Sequence, residues 1–340
     1  MSPGILIFLT LLAATVTWIY QAGPRLPAET DAIIDEVLRG DLPDLVIGET
    51  GVVSSSGLDI WYESISPVGS PRATILLIMG VGGSALEWPQ GFVRAFVCSG
   101  YHVIRYDQRG TGLSDRVEDW DRRSPYTIAD MAGDALAVLD GLGVETAHII
   151  GFSMGGMIAQ EIAIRHPERV KSLTLMMTSG HVGDPDLPGP SSRYFISSLV
   201  KGIPILRYRV AGGERNLIKE RIAKMTAAVG YEQLDIREIA EMVLFDLRER
   251  TGISISAALQ HQKAVSISGS RYEQLKTLDV PALIVHGTQD ELLPVEHGRK
   301  LARVLPKATG LWLEDTGHVF PPADVDALVR RIIAHLRAGE

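Results

Sequence analysis

The sequence predicts an α/β fold: a mostly parallel sheet flanked by helices, with a helical cap insertion and an added hydrophobic helix at the N-terminus. Three observations predict it. From about Leu45, short runs rich in Val, Ile and Leu alternate with helical patterns, and continuous apolar strands separated by helices imply a parallel sheet covered on both faces. Between about residues 180 and 271 the alternation fails. There a proline-rich loop, DPDLPGP, gives way to polar, helix-like sequence before strands resume at Val280, as expected of a cap over the C-terminal edge of one sheet. Third, the chain opens on GILIFLTLLAATVTWIY, which carries no charge.

Bulk properties narrow the function. With 340 residues, 46% of them hydrophobic, the chain suits one large domain or one domain with a substantial insertion. Net charge is −8 and no Lys/Arg-rich stripe occurs, which argues against a nucleic-acid partner. Cys98 is the single cysteine, so an internal disulfide is excluded and a cysteine-based zinc site lacks ligands. Its expected role is that of a buried small hydrophobe.

In chain order, residues 1–24 resemble a membrane-anchor helix. A bilayer core needs about 20 apolar residues, and the basic n-region of a secretory leader is missing. A retained signal anchor is therefore expected, with Trp18 and Tyr20 at an interface; a cleaved leader and a buried oligomerisation helix are the alternatives. Residues 25–45 form an amphipathic segment and linker. Thr30 is placed to cap its helix and Gly40 to end it in the left-handed conformation. Ile33, Ile34, Val37 and Leu38 share one face, expected to pack on the core domain or, alternatively, in a homodimer or on a membrane surface. Residues 46–180 and 272–340 supply the core, with strands in LDIWYES, TILLIM, HVIRY, AHII, SLTLMM, ALIVH and TGLWL and helices in residues 128–143 and 157–166. Residues 181–271 supply the cap, whose Tyr194, Phe195, Leu199, Tyr208, Met225, Met242 and Phe245 either line an apolar pocket or pack helices together.

The chemistry centres on GFSMGG, residues 151–156. Gly151-Phe152-Ser153-Met154-Gly155 fits the G-x-S-x-G elbow, which sets a serine on a strained strand-to-helix turn, and a strand precedes it while a helix follows. A serine hydroxyl needs an adjacent base oriented by an acid, and this architecture supplies them in the order Ser, Asp, His. Asp290, just after ALIVH, and His318, just after TGLWL, meet that order; Asp315 is the competing acid. His286 reads as packing, and His102 and His148 fall at strand starts, the opposite sheet edge. Two backbone N–H groups are expected to hold an oxyanion, those of Met154 and of Val81 in MGVGGS. Gly80, Gly82 and Trp88 complete the candidate substrate-contacting set. The same loop also fits G-x-G-x-x-A with Asp107 downstream, a dinucleotide-binding alternative. Trp88-Pro89 weakens that alternative by delaying the helix that would hold a pyrophosphate.

Together LLIMGVGGS, RYDQRGTGLSD, GFSMGG, HGTQDELLP and DTGHVFP make the chain from about Val52 onward resemble the α/β-hydrolases with a helical cap. The branch it looks most like is that of aclacinomycin methylesterase and related small-molecule esterases. The resemblance implies an α/β-hydrolase fold, a serine carboxylesterase with a small or lipophilic ester substrate, no cofactor or metal, and a bracing role for Asp107, Arg109 and Ser114. Met79-Gly80 departs from the family's usual His-Gly before the oxyanion residue. Lactone, amide and C–C bond hydrolysis, and perhydrolysis, use the same triad.

Overall fold

The apolar runs of the sequence become the strands of a single sheet in the computed structural model, which describes residues 2–21, 23–190, 192–229, 234–252, 254–319 and 325–338. Its strands are β1 (Glu49–Ser55), β2 (Leu58–Ile65), β3 (Thr74–Ile78), β4 (His102–Tyr106), β5 (Ala147–Phe152), β6 (Val170–Met176), β7 (Ala282–Gly287) and β8 (Ala308–Leu313), in the spatial order β1-β2-β4-β3-β5-β6-β7-β8. The β1–β2 and β2–β4 pairings are antiparallel and the rest parallel. Strand β1, ETGVVSS, was not visible as an apolar run because it is an edge strand. It joins the sheet through backbone pairing with β2 and leaves most of its side chains exposed or half-buried.

Alternation along the strands divides the core. Leu76 and Ile78 of β3 face one cluster while Ile75 and Leu77 face the other, as the period of two requires. The first cluster buries α4 (Ile128–Gly141) and α5 (Met154–Arg165), with Leu301 of α11 (Val295–Val304). The second buries α3 (Gln90–Cys98) through Phe92, Val93 and Phe96, and α12 (Val325–Ala338) through Leu328, Val329, Ile332 and Leu336. Cys98 is exposed, correcting the expectation of a buried thiol. It lies two residues beyond Phe96, about 200° around the helix, on the side away from the core. After β3 the chain passes to β4 on one flank and then to β5 on the other. Open α/β sheets bind ligands at the carboxyl ends of their strands where the order reverses, and here the loops after β3 and β5 meet at that point.

The chain divides into two units. The sheet unit comprises Asp44–Gly189 and Arg248–Glu340; the other comprises Met1–Pro43 and Pro190–Leu247. Of residues 181–271, only 190–247 fall in the helical unit: α9 (Ile255–Ile267) belongs to the sheet unit, as does α10 (Tyr272–Leu275) just beyond that span. The second unit contains α1 (Pro3–Gln21), α2 (Thr30–Arg39), α6 (Ser192–Ala211), α7 (Gly213–Val229) and α8 (Ile236–Glu249) as far as Leu247. The apolar face of α2 packs on α7 and α8 within its own unit, through Ile34 and Val37 against Ile218, Ile222, Ile239 and Val243. Glu29, not Thr30, occupies the N-cap of α2, and Gly40 ends it in an extended rather than left-handed conformation. Met225 and Met242 pack against the same cluster as ordinary helix-packing residues. The side chains of Tyr194, Phe195 and Leu199 lie outside the described residues.

Helix α1 is the element expected to anchor the chain in a membrane. Among the described residues no helix is long and apolar enough to cross a membrane. Its 19 residues span about 28 Å at 1.5 Å per residue, and it packs against α6 within its own unit.

Candidate active site

Ser153 sits between β5 and α5 at φ 53° and ψ −117°, a region sparsely populated by residues with a Cβ. Its surroundings hold it there. A Cβ on Gly151 would run into the Gly155 carbonyl, and one on Gly155 into the Ile78 carbonyl, so only glycines let α5 start this close to β3 and β5. The Ser153 N–H donates to Met176 O at 2.9 Å, while its carbonyl accepts from Gly156 N–H at 3.0 Å and from the Thr178 hydroxyl at 2.6 Å.

The loops after β7 and β8 bring up the two partners. Gly287 ends β7, and a Cβ there would strike the Thr316 carbonyl; Gln289 N–H donates to that same carbonyl at 2.9 Å. Asp290 and His318 are thereby carried to the end of β5. His318 Nδ1 lies 2.6 Å from Asp290 Oδ2 and His318 Nε2 lies 3.0 Å from Ser153 Oγ. An ionised carboxylate only accepts, so Nδ1 carries the proton and bare Nε2 accepts from the serine hydroxyl. The Phe152 ring packs beside the imidazole, with centroids 5.4 Å apart. Asp315, the alternative acid, is exposed, and the imidazole's partner is Asp290.

Asp290 stays ionised. Burial alone would raise its pKa, but hydrogen bonds from His286 and His318, the charge of His318 and the Leu293 N–H outweigh it and hold the carboxyl at about 2. Leu292 and Leu293 N–H groups donate to Oδ1 at 2.9 and 2.8 Å. His286, expected only to pack, also faces this carboxylate: its Nε2 is 2.7 Å from Leu293 O and 3.4 Å from Asp290 Oδ2. Its signal in the sequence is the four-residue spacing to Asp290, which has no meaning until the loop folds back. His102 and His148 bond Ser64 and Ser172 hydroxyls at the far edge of the sheet.

The loop after β3 forms a turn over residues 80–83, closed by Gly83 N–H donating to Gly80 O at 3.2 Å. Gly82 at its third position has φ +69°, as a type II turn requires. A Cβ on Gly80 would lie 3.2 Å from Ser153 Cβ, so this turn lies directly against the serine. Val81 is exposed on it and buried Met154 opens α5 on the other side. Backbone N–H groups that face a reactive serine can stabilise charge on an acyl oxygen. Trp88 is not presented to a ligand: it is fully buried and stacks on Phe92, 5.3 Å between centroids.

The dinucleotide alternative fails on two counts. Asp107 is fully buried, its Oδ1 accepting from Ala85 N–H and its Oδ2 from Leu113 N–H, each at 2.8 Å, with Arg250 as ion partner. No ribose could displace those partners cheaply. The helix after the glycine loop begins only at Gln90, after a short 3₁₀ turn over Ala85–Glu87. Arg109 pairs with Asp134 through two bonds of 2.7 and 2.8 Å, and Ser114 Oγ donates to Asp107 O at 2.7 Å. These residues brace the loops beneath the serine.

Known proteins resemble this chain along most of its length. Residues 73–322 match the alpha/beta hydrolase fold family. Rhodomycin D methylesterase of Streptomyces peucetius is 32% identical over 315 residues, covering 85% of this chain and 99% of that protein. A 2-hydroxy-6-oxononadienedioate/2-hydroxy-6-oxononatrienedioate hydrolase of Paraburkholderia phymatum is 31% identical over 246 residues, covering 71% and 78%. Among solved structures, the esterase RhEst1 of a Rhodococcus species shares the fold, with a TM-score of 0.63 at 22% identity over 85% of this chain and 98% of that one.

Proposed function

We propose that this chain, which belongs to the alpha/beta hydrolase fold family, is a serine carboxylesterase whose catalytic residues are Ser153, His318 and Asp290. The observation that carries the proposal is the continuous relay Ser153 Oγ–His318 Nε2 at 3.0 Å and His318 Nδ1–Asp290 Oδ2 at 2.6 Å. His318 takes the serine proton as Oγ attacks the ester carbonyl, and Asp290 holds the imidazole in the required tautomer and stabilises the imidazolium. The Val81 and Met154 N–H groups receive the oxyanion, each such donor being worth about 10²–10³ in turnover. The leaving alcohol takes the proton from His318. Water, activated by the same base, then releases the acid from the acyl-enzyme.

The likeness to a methylesterase across 85% of the chain supports an ester of a small alcohol as the substrate. Likeness to the dienedioate hydrolase over 71% of the chain supports a second reading, in which the same relay acts on a 2-hydroxy-6-oxo-dienedioate. Hydrolysis of methyl esters and of a p-nitrophenyl ester series by wild type and Ser153→Ala tests the first reading. Wild-type turnover that is lost in the variant is expected. Equal activity in both would remove Ser153 from the chemistry, and turnover of the dienedioate alone would favour the second reading.

A further inference from the structure

Helix α9 of the sheet unit bears on the loop that carries Val81. Ala258 and His261 lie one turn apart on it. A Cβ on Gly82 would come within 2.9 Å of Ala258 Cβ, so the turn over residues 80–83 rests on this helix. His261, fully buried, reaches across the same contact: Gly82 N–H donates to its Nδ1 at 3.0 Å, and its Nε2 lies 2.9 Å from the Arg109 carbonyl. Both partners are backbone groups with a fixed polarity. The amide only donates and the carbonyl only accepts, so the ring is neutral with its proton on Nε2. Burial, with the nearby Arg109 guanidinium adding to it, brings the His261 pKa down to about 4.

What the ring holds is the Val81–Gly82 peptide. In a four-residue turn, types I and II differ by a flip of the central peptide, which exchanges the positions of its N–H and C=O. A bare Nδ1 opposite that site accepts the N–H and would repel the carbonyl. On the far side, the Arg109 carbonyl is itself held: the Arg109 guanidinium is fastened to Asp134, lies 4.9 Å from the Tyr126 ring centre, and the Tyr126 ring packs edge-on to His261 at 6.3 Å. We infer that His261 is a positioning residue for the oxyanion site, an imidazole acceptor that locks the Val81–Gly82 peptide and, by fixing the turn around it, holds the adjoining Gly80–Val81 peptide where the Val81 N–H can meet the substrate carbonyl. The inference rests on the esterase reading of Ser153.

Substitutions that keep one of the two hydrogen bonds test it. In His261→Asn the amide oxygen stands near the place of Nδ1 and accepts from Gly82, while the bond to Arg109 is lost. In His261→Gln the amide reaches the place of Nε2 and the Gly82 bond is lost. His261→Leu loses both. Misplacement of a catalytic group by about 1 Å costs about 10²-fold, so His261→Leu and His261→Gln are expected to lose on that order in kcat with KM nearly unchanged, and His261→Asn to recover most of it. The same variants are scored by the rate at which a fluorophosphonate labels Ser153. There Oγ–P forms as P–F breaks and fluoride leaves, with the phosphoryl oxygen in the oxyanion site. That readout needs no ester turnover, so a wild type inactive on esters removes the esterase reading while labelling still ranks the variants. Equal kcat and equal labelling in His261→Asn and His261→Gln would overturn the inference. So would an effect of His261→Leu confined to KM or to the melting temperature. If His261→Leu does not fold, the Asn and Gln pair decides.

Discussion

Replacing Ser153 with glycine should abolish activity and leave a chain more stable than the one carrying alanine there. The serine holds φ 53° and ψ −117°, and a residue with a Cβ in so sparsely populated a region costs about 1–3 kcal/mol. Alanine keeps that strain and glycine releases it. Both lose the hydroxyl's bond to His318, so this loss cancels between the two variants. Glycine also loosens the unfolded chain, which opposes the gain by about 0.4–1 kcal/mol. The net advantage of Ser153→Gly over Ser153→Ala is about 1 kcal/mol. Unfolding entropy near 2.1 cal/mol/K per residue makes that about 1–2 °C in Tm for a chain of 340 residues. Differential scanning calorimetry of the two inactive proteins, with urea melts beside it, measures the difference. Ser153→Ala equal to or more stable than Ser153→Gly would refute the claim that the elbow stores strain.

Three further outcomes follow from the charges. Asp290→Asn is expected to keep the fold and lower kcat by about 10⁴-fold, because an amide favours the wrong imidazole tautomer. Since the carboxyl's pKa is lowered from 3.8 to about 2 in the folded protein, its stabilising contribution is complete above the unfolded value and is lost as pH falls from about 4 to 2. The stability gap between wild type and Asp290→Asn should therefore be flat at neutral pH and shrink in that window, as read by urea melts. At a distance from the serine, Glu63 and Arg105 form a fully buried pair at 2.6 Å, and Glu63 Oε1 also accepts from Ile47 and Gly48 N–H groups at 2.6 and 2.8 Å. Glu63→Ala strands the Arg105 charge and should cost about 3–5 kcal/mol in a urea melt, with kcat/KM unchanged well below the melting temperature.

Legibility followed the range of the interactions. Ser153 announced itself because a strained turn needs glycines two residues to either side, a local demand that sequence records directly. Asp290 and His318 were found because strand ends are legible from apolar runs, and the chain order limits which ends carry them. The edge strand β1 escaped because its pairing is made by backbone, and backbone leaves no side-chain pattern. Trp88 looked available beside the glycine loop, yet nothing local revealed that Phe92 would cover it. Cys98 was misplaced for a related reason: which side of α3 faces the sheet was not fixed by the cysteine's own chemistry.

The sequence by itself determined the parallel sheet, the elbow and the order of Ser153, Asp290 and His318 along it, since each depends on periodicity or on residues adjacent in the chain. Only the tertiary structure decided where the long-range partners fall. It put His286 beside the same Asp290 oxygen that meets His318, packed α2 on α7 and α8, and placed α9 in the sheet unit, where His261 meets Gly82, 179 positions away in the chain. A hydrogen bond between such distant residues depends on loop closure and packing, and a single chain of letters carries no trace of it until the sheet has set the distances.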